Sequence, residues 1–196
     1  DKIDLVLFTH LTLLNRKLEY HLLGNHLLEN AFALLYGAYY FRDNSIYKRA
    51  KNLLEIELNE QILSDGAHFE LSPMYHKIIL NRMLDSVNLV QKNNFFKDNL
   101  LNLLEVKSTL MLAWLKQVTY RNGNTPRVND SVDGIVASSN DIFTYSNELN
   151  LKVNNSKLTD SGYRKFVNNK FELFMDVGKI GPDYIPGHSH ADTFSF

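Results

Sequence analysis

Apolar residues recur at three- and four-residue spacing through the first two thirds of the chain, the period of one face of a helix. DKIDLVLFTHLTLLNRKLEY and LEYHLLGNHLLENAFALLYGAYYF both carry it, which predicts helices over 1–20 and 18–41, with Gly24 inside the second. FRDNS supplies polar caps and a break. SIYKRAKNLLEIELNEQILSDG reads as an amphipathic helix stopped at Asp65-Gly66. In ELSPMYHKIILNRMLDSVNLV, Ser72 is a natural N-cap and Pro73 takes the first helical position. FFKDNLLNLLEVKSTLMLAWLKQVTY gives the next helix. Four or five helices on short loops suggest antiparallel helical hairpins.

The texture changes at RNGNTPRVNDSVDG, whose Gly, Pro, Asn and Asp residues require a long loop. NDIFTYSNELN reads as one more short helix. From about Ser161 the pattern becomes that of β-strands, and GYRKFV and KFELFMDVG flank a turn at Asn168-Asn169. The chain then runs through GKIGPDYIPG to GHSHADTFSF. On a strand, His188, His190, Asp192, Phe194 and Phe196 would share one face. The expected architecture is mainly α, with a helical domain over 1–155 and a β domain that begins over 156–196. The apolar final strand has no partners in this sequence, so the expectation is a segment of a longer protein that does not complete its β domain alone.

Composition narrows the choice of partner. The formal net charge is -1, so no global field attracts nucleic acid or an anionic membrane, and contacts to any polyanion must be local. The absence of cysteine excludes disulfides and thiolate metal sites, and it suits any compartment. No apolar run reaches the roughly 18 residues of a membrane span.

Three clusters carry chemistry-bearing side chains. In EYHLLGNHLLEN, Asn25, His26 and Glu29 would lie on one side of a helix, either as a polar trio between helices or as a site. In DGAHFELSPMYH, Asp65, His68, Glu70, Tyr75 and His76 surround a loop and the first turn of a helix, where exposed N–H groups favour anions. In GHSHAD, the alternate spacing of His188, His190 and Asp192 suits one metal ion, a substrate, or a hydrogen-bonded strand end.

Taken in order, GNHLLENAFAL, DGAHFELSPMYH, NDS, DSGY and GPDYIPGHSHADTFSF resemble the heparinase II/III-like polysaccharide lyases, from about Leu18 to Phe196. The resemblance implies an incomplete (α/α) toroid followed by an antiparallel β-sandwich, this chain holding the later part of the first and the start of the second. It implies β-elimination on an acidic polysaccharide. A proton leaves C5 of a uronate and the 4-linked oxygen departs. The adjacent carboxylate makes that C–H a poor acid, so donors must stabilise the carboxylate, at about 10²–10³ in rate each. Each proton transfer needs a base or an acid, at about 10²–10⁴.

Matched to this sequence, the resemblance puts Asn25 and His26 at the uronate carboxylate and Tyr75 at the proton-transfer position. His188 serves as the opposing base or polarises the tyrosine. Glu29, Glu70 and His76 support substrate binding, with Arg121 and Arg127 as contacts to sulfates or carboxylates. His190 matches a structural zinc ligand whose companions lie beyond this sequence, and the chemistry itself needs no cofactor. A periplasmic or extracellular location is implied, a cytoplasmic role in polysaccharide synthesis stays open, and the oligomeric state is unspecified. Two other readings remain. One is a non-catalytic glycan-binding or capsule-assembly protein on the same fold. The other is a glycoside hydrolase, which needs two carboxylates facing each other across the bond.

Overall fold

A computed structural model describes residues 1–189 of the chain. Within them, six helices precede one β-hairpin: α1 (Lys2–Arg16), α2 (Gly24–Phe41), α3 (Asn44–Gln61), α4 (Pro73–Lys92), α5 (Leu100–Val118), α6 (Ser139–Glu148), β1 (Tyr163–Val167) and β2 (Glu172–Asp176). Antiparallel neighbours α2 and α3 pack together, as do α4 and α5, and α2 also meets α4. One apolar core runs through these helices and reaches Tyr163 and Phe174 of the hairpin. The chain is therefore mainly α with a β region starting at its C-terminal end, as the periodicity predicts.

Most helix starts follow local chemistry. Asp43 caps α3 by accepting from the N–H groups of Ser45 and Ile46 at 2.8 and 3.0 Å. Ser72 accepts from the Tyr75 N–H at 3.3 Å and Pro73 opens α4. Ser138 and Asp141 form a capping box on α6.

The start of α2 differs from expectation. Residues 17–23 form turns, not helix, and Gly24 is the first residue of α2 rather than a mid-helix glycine. Leu23 and Gly24 take φ of +60° and +52°, and two successive left-handed residues cannot continue a right-handed helix. The apolar rhythm crosses this break because Leu18, inside the turns, is itself buried in the core.

The hairpin is antiparallel, with Tyr163 opposite Asp176 and Val167 opposite Glu172. Asn168 and Asn169 fall in a four-residue loop closed by the Asn168 N–H donating to the Phe171 carbonyl at 3.0 Å. Tyr163 and Phe174 face inward, their rings 4.9 Å apart, and Tyr163 lies 5.8 Å from Trp114 of α5. Phe166, on the opposite face, and Val167, at the open end of β1, are both more than half exposed.

The hairpin is tied to the helices by a buried carboxylate. Asp65 Oδ2 accepts from the Thr159 N–H, the Ser161 N–H and the Ser161 hydroxyl at 3.0, 3.0 and 2.7 Å. Its Oδ1 accepts from the Ala67 N–H at 3.2 Å. Trp114 Nε1 donates to the same Ser161 hydroxyl at 3.3 Å. Hydrogen bonds to a charged group contribute about 1.5–3 kcal/mol each. Asp65→Ala in the full-length protein is expected to lower unfolding free energy by at least about 3 kcal/mol, measured by denaturant titration. A loss under about 1 kcal/mol would show that the tie is not a stabilising contact.

Candidate functional site

From Asp65 to Met74 every residue is buried, although most of this stretch is neither helix nor strand. A buried irregular segment needs partners for its polar groups. The Leu71 carbonyl accepts from Asn129 Nδ2 at 2.8 Å and from the Tyr163 hydroxyl. Ser72 Oγ donates to the Asp130 carbonyl at 2.6 Å, and Ser131 Oγ accepts from the Met74 N–H at 3.1 Å. The NDS stretch, residues 129–131, thus serves as a second cap on α4.

Glu70 stands at the centre of the site. Its side chain is fully enclosed. Oε1 accepts from the Asn25 N–H at 2.9 Å and Oε2 from Asn25 Nδ2 at 2.7 Å. Leu23 offers no side-chain cap to α2, so Glu70 supplies one from across the fold. Gly24 makes this approach possible, since a Cβ there would overlap Glu70 Oε1 and crowd Ile185.

His188 completes the arrangement. Its Nε2 lies 3.3 Å from Glu70 Oε2 and its Nδ1 lies 2.9 Å from Asp130 Oδ2. The His188 carbonyl accepts from the Asp130 N–H at 2.9 Å, so ring and backbone are both fixed to the α4 cap. The Tyr75 ring sits 4.1 Å from the His188 ring, centroid to centroid. Burial raises the phenol pKa above its usual 10, and the nearby Asp130 and Glu70 carboxylates push it the same way.

Asn25, Tyr75, His188 and Glu70 therefore meet at one place, together with Asp130, which the sequence reading did not single out. The signal for Asp130 was the NDS motif beside a run of turn formers. Its side-chain role depends on a histidine 58 positions later.

The other expected site residues lie elsewhere. Asn25, His26 and Glu29 all lie in the first two turns of α2, but they take different partners. His26 Nδ1 approaches Glu19 at 4.0 Å, and Glu29 takes a bond from Arg82 Nε at 3.2 Å. His76 is 1% exposed. Its Nδ1 accepts from the His68 N–H at 3.2 Å and its Nε2 meets the Met111 carbonyl at 3.1 Å, so it braces the buried segment. Arg121 bonds the Asn168 carbonyl at 2.5 Å, and its N–H donates to Glu172 at 2.9 Å. Arg127 bonds Asp133 at 2.9 and 2.5 Å. These two arginines hold their own loops. His188 lies in a turn rather than on a strand. The metal candidate His190, with Asp192 and the final phenylalanines, lies outside the described residues. Among the described residues no group of three or more His, Asp or Glu is arranged to hold a metal ion, and no helix is long and apolar enough to cross a membrane.

Comparison with known proteins gives concordant matches. A family model described as the heparinase II/III N-terminus matches residues 6–151. One described as heparinase II/III-like, C-terminal, matches 151–196. A heparin-sulfate lyase of Bacteroides stercoris is 27% identical over 115 residues, which is 55% of this chain and 17% of that protein. A heparin-sulfate lyase of Pedobacter heparinus is 27% identical over 112 residues, with the same coverage. The crystal structure of a heparan sulfate lyase HepC mutant from Pedobacter heparinus aligns with a TM-score of 0.63 at 20% identity, covering 86% of this chain and 30% of that one. A heparinase III gene product aligns at 0.57 and 20% identity, covering 86% and 28%. The chain thus spans under a fifth of the length of the curated relatives, and the structural likeness shows the fold.

Two buried histidines set an acid limit on this architecture. Burial pushes His68 down to about 4 and His76 down to about 3. Both are neutral in the folded protein near pH 7, whereas the unfolded chain takes up protons near 6.5. The unfolded state therefore binds more protons as pH falls from about 6.5 towards 4 and 3, and stability drops through that window. The melting temperature of the full-length protein should be flat above pH 7 and fall steadily below 6.5. His76→Gln should flatten that slope while lowering the plateau. An unchanged slope in the variant would remove His76 from the acid response.

Proposed function

The chain belongs to the heparinase II/III family, and from that premise we propose that the full-length protein is a polysaccharide lyase cleaving a uronate-containing glycan by β-elimination. The observation that carries this reading is the convergence of Asn25, Tyr75 and His188 around the Glu70 carboxylate. A carboxamide donor, a phenol and an imidazole are the three groups the reaction asks for. The names of the relatives support an acidic polysaccharide as the substrate class.

In the proposed mechanism, Asn25 donates to the uronate carboxylate and stabilises the second negative charge that develops when C5 loses its proton. His188 Nε2 takes that proton. Nδ1 is engaged by Asp130 Oδ2 at 2.9 Å, while Glu70 Oε2 lies 3.3 Å from Nε2 without a hydrogen bond to it, so Nε2 is left to the substrate and the imidazolium that forms stands beside a carboxylate. The C5–H electrons form the C4–C5 double bond as the C4–O bond breaks. Tyr75 gives its proton to the departing oxygen, a role suited to a phenol that its surroundings keep protonated.

The two carboxylates that a hydrolase reading would use, Glu29 and Glu70, are already engaged. Glu29 is paired with Arg82, and Glu70 is enclosed with both oxygens in use.

Tyr75→Phe in the full-length protein should lower elimination by at least about 10², equivalent to roughly 2.7 kcal/mol in the barrier. Its stability should change by less than about 1.5 kcal/mol. The readout is the ultraviolet absorbance of the unsaturated uronate product, which hydrolysis does not form. Activity within a factor of about three of the parent removes Tyr75 from the chemistry. The pH profile separates acid from base: a Tyr75 acid keeps its activity until pH exceeds the ordinary tyrosine value, whereas a Tyr75 phenolate base gains activity as pH rises towards it.

A further inference from the structure

The Asn25 carboxamide presents a choice that its own atoms do not make. One end is a double donor and the other an acceptor, and a rotation of half a turn exchanges them. Only the donor end can bind a carboxylate. Glu70 Oε2 sits 2.7 Å from Asn25 Nδ2, and Oε1 sits 2.9 Å from the Asn25 backbone N–H. Turning the amide over would set the Asn25 oxygen against the Glu70 oxygen, both acceptors, inside an enclosure that water does not enter. One Nδ2–H remains for the ligand.

The carboxylate is itself fixed. Oε2 also faces His188 Nε2 at 3.3 Å, and the missing Cβ of Gly24 leaves Oε1 its place against the start of α2. Glu70 therefore has no room to turn away and no water to compensate for a lost partner.

We propose that Glu70 is a positioning and specificity-determining residue: by locking the Asn25 carboxamide donor-outward, it makes the site select glycans with a free carboxylate over neutral ones. The proposal rests on the lyase reading for the place of the substrate, and concerns recognition rather than bond cleavage. It opposes what charge alone predicts. A negative charge behind Asn25 repels a uronate, so its removal should tighten uronate binding if Glu70 acts only through its field. If Glu70 acts through the amide, Glu70→Gln should weaken uronate binding, because the glutamine NH₂ set against Asn25 Nδ2 turns the Asn25 oxygen towards the ligand.

The test uses the full-length protein with Tyr75→Phe to slow turnover. Two oligosaccharide probes differ only in reduction of the uronate carboxyl to a primary alcohol, and binding is read by calorimetry. The expected result is a preference of about tenfold or more for the acidic probe, lost in Glu70→Gln and equally lost in Asn25→Ala. Combining the two substitutions should add nothing further, the signature of two residues acting as one unit. Gly24→Ala is the second variant. It displaces the carboxylate without removing its charge, and should erode the preference if Glu70→Gln does not fold. Retained or increased preference in a folded Glu70→Gln, or additive losses in the double variant, overturns the proposal. A protein with the expected preference but no unsaturated product refutes the lyase reading and leaves this one standing.

Discussion

A loop buried inside a protein has no water to satisfy its polar groups, so each must find a partner in the surrounding structure. The stretch from Asp65 to Ser72 is under that constraint, and much of the rest of the molecule answers it. Asp65 draws in Thr159 and Ser161, the approach to the hairpin. The Leu71 carbonyl draws in Asn129 and Tyr163. Glu70 draws in the first turn of α2 and the turn that carries His188. The segment is a hub because it is buried, and its partners come from both the helices and the β region.

The site is a by-product of this accounting. Asn25 bonds Glu70 because α2 lacks a cap of its own, and the same bond aims its carboxamide. Ser131 and Ser72 cap α4 together, which sets the neighbouring Asp130 against His188. Tyr75 follows two residues after the Pro73 that fixes the helix start, so its ring projects from a backbone with little freedom. Groups suited to chemistry are held by bonds that primarily serve the fold.

Sequence reading reached the elements whose causes are local. The Ser72-Pro73 start of α4 and the amphipathic stripes of α3 and α5 are written in neighbouring residues. The break before α2 was missed because periodicity reports burial, and Leu18 is buried in a turn as well as in a helix. His26 and Glu29 looked like companions of Asn25 because helical spacing does not reveal that Glu19 and Arg82 engage them instead. The motifs led to Tyr75, Asn25 and His188. Asp130 was hidden because its partner is distant, and His76 was assigned to substrate because nothing in SPMYH tells a histidine facing a cleft from one bonded to the Met111 carbonyl. Arg121 and Arg127 looked free because their partners, Asn168, Glu172 and Asp133, belong to loops whose folding back is not encoded locally.

The tie between Asp65 and Ser161 spans 96 residues, and that between Glu60 and Tyr184 spans 124. Synthesis delivers the chain from its N-terminus, and long-range closures come late in folding. Asp65 therefore leaves the ribosome well before Thr159 and Ser161, and Glu70 well before His188. Until then the helical part is expected to stay hydrated around Asp65, since closing over a carboxylate that lacks most of its donors is unfavourable. Completion of the core and completion of the site thus become a single event on the assembly pathway. A chain interrupted before Ser161 would stall with its interior wet, a state that quality-control proteases can recognise.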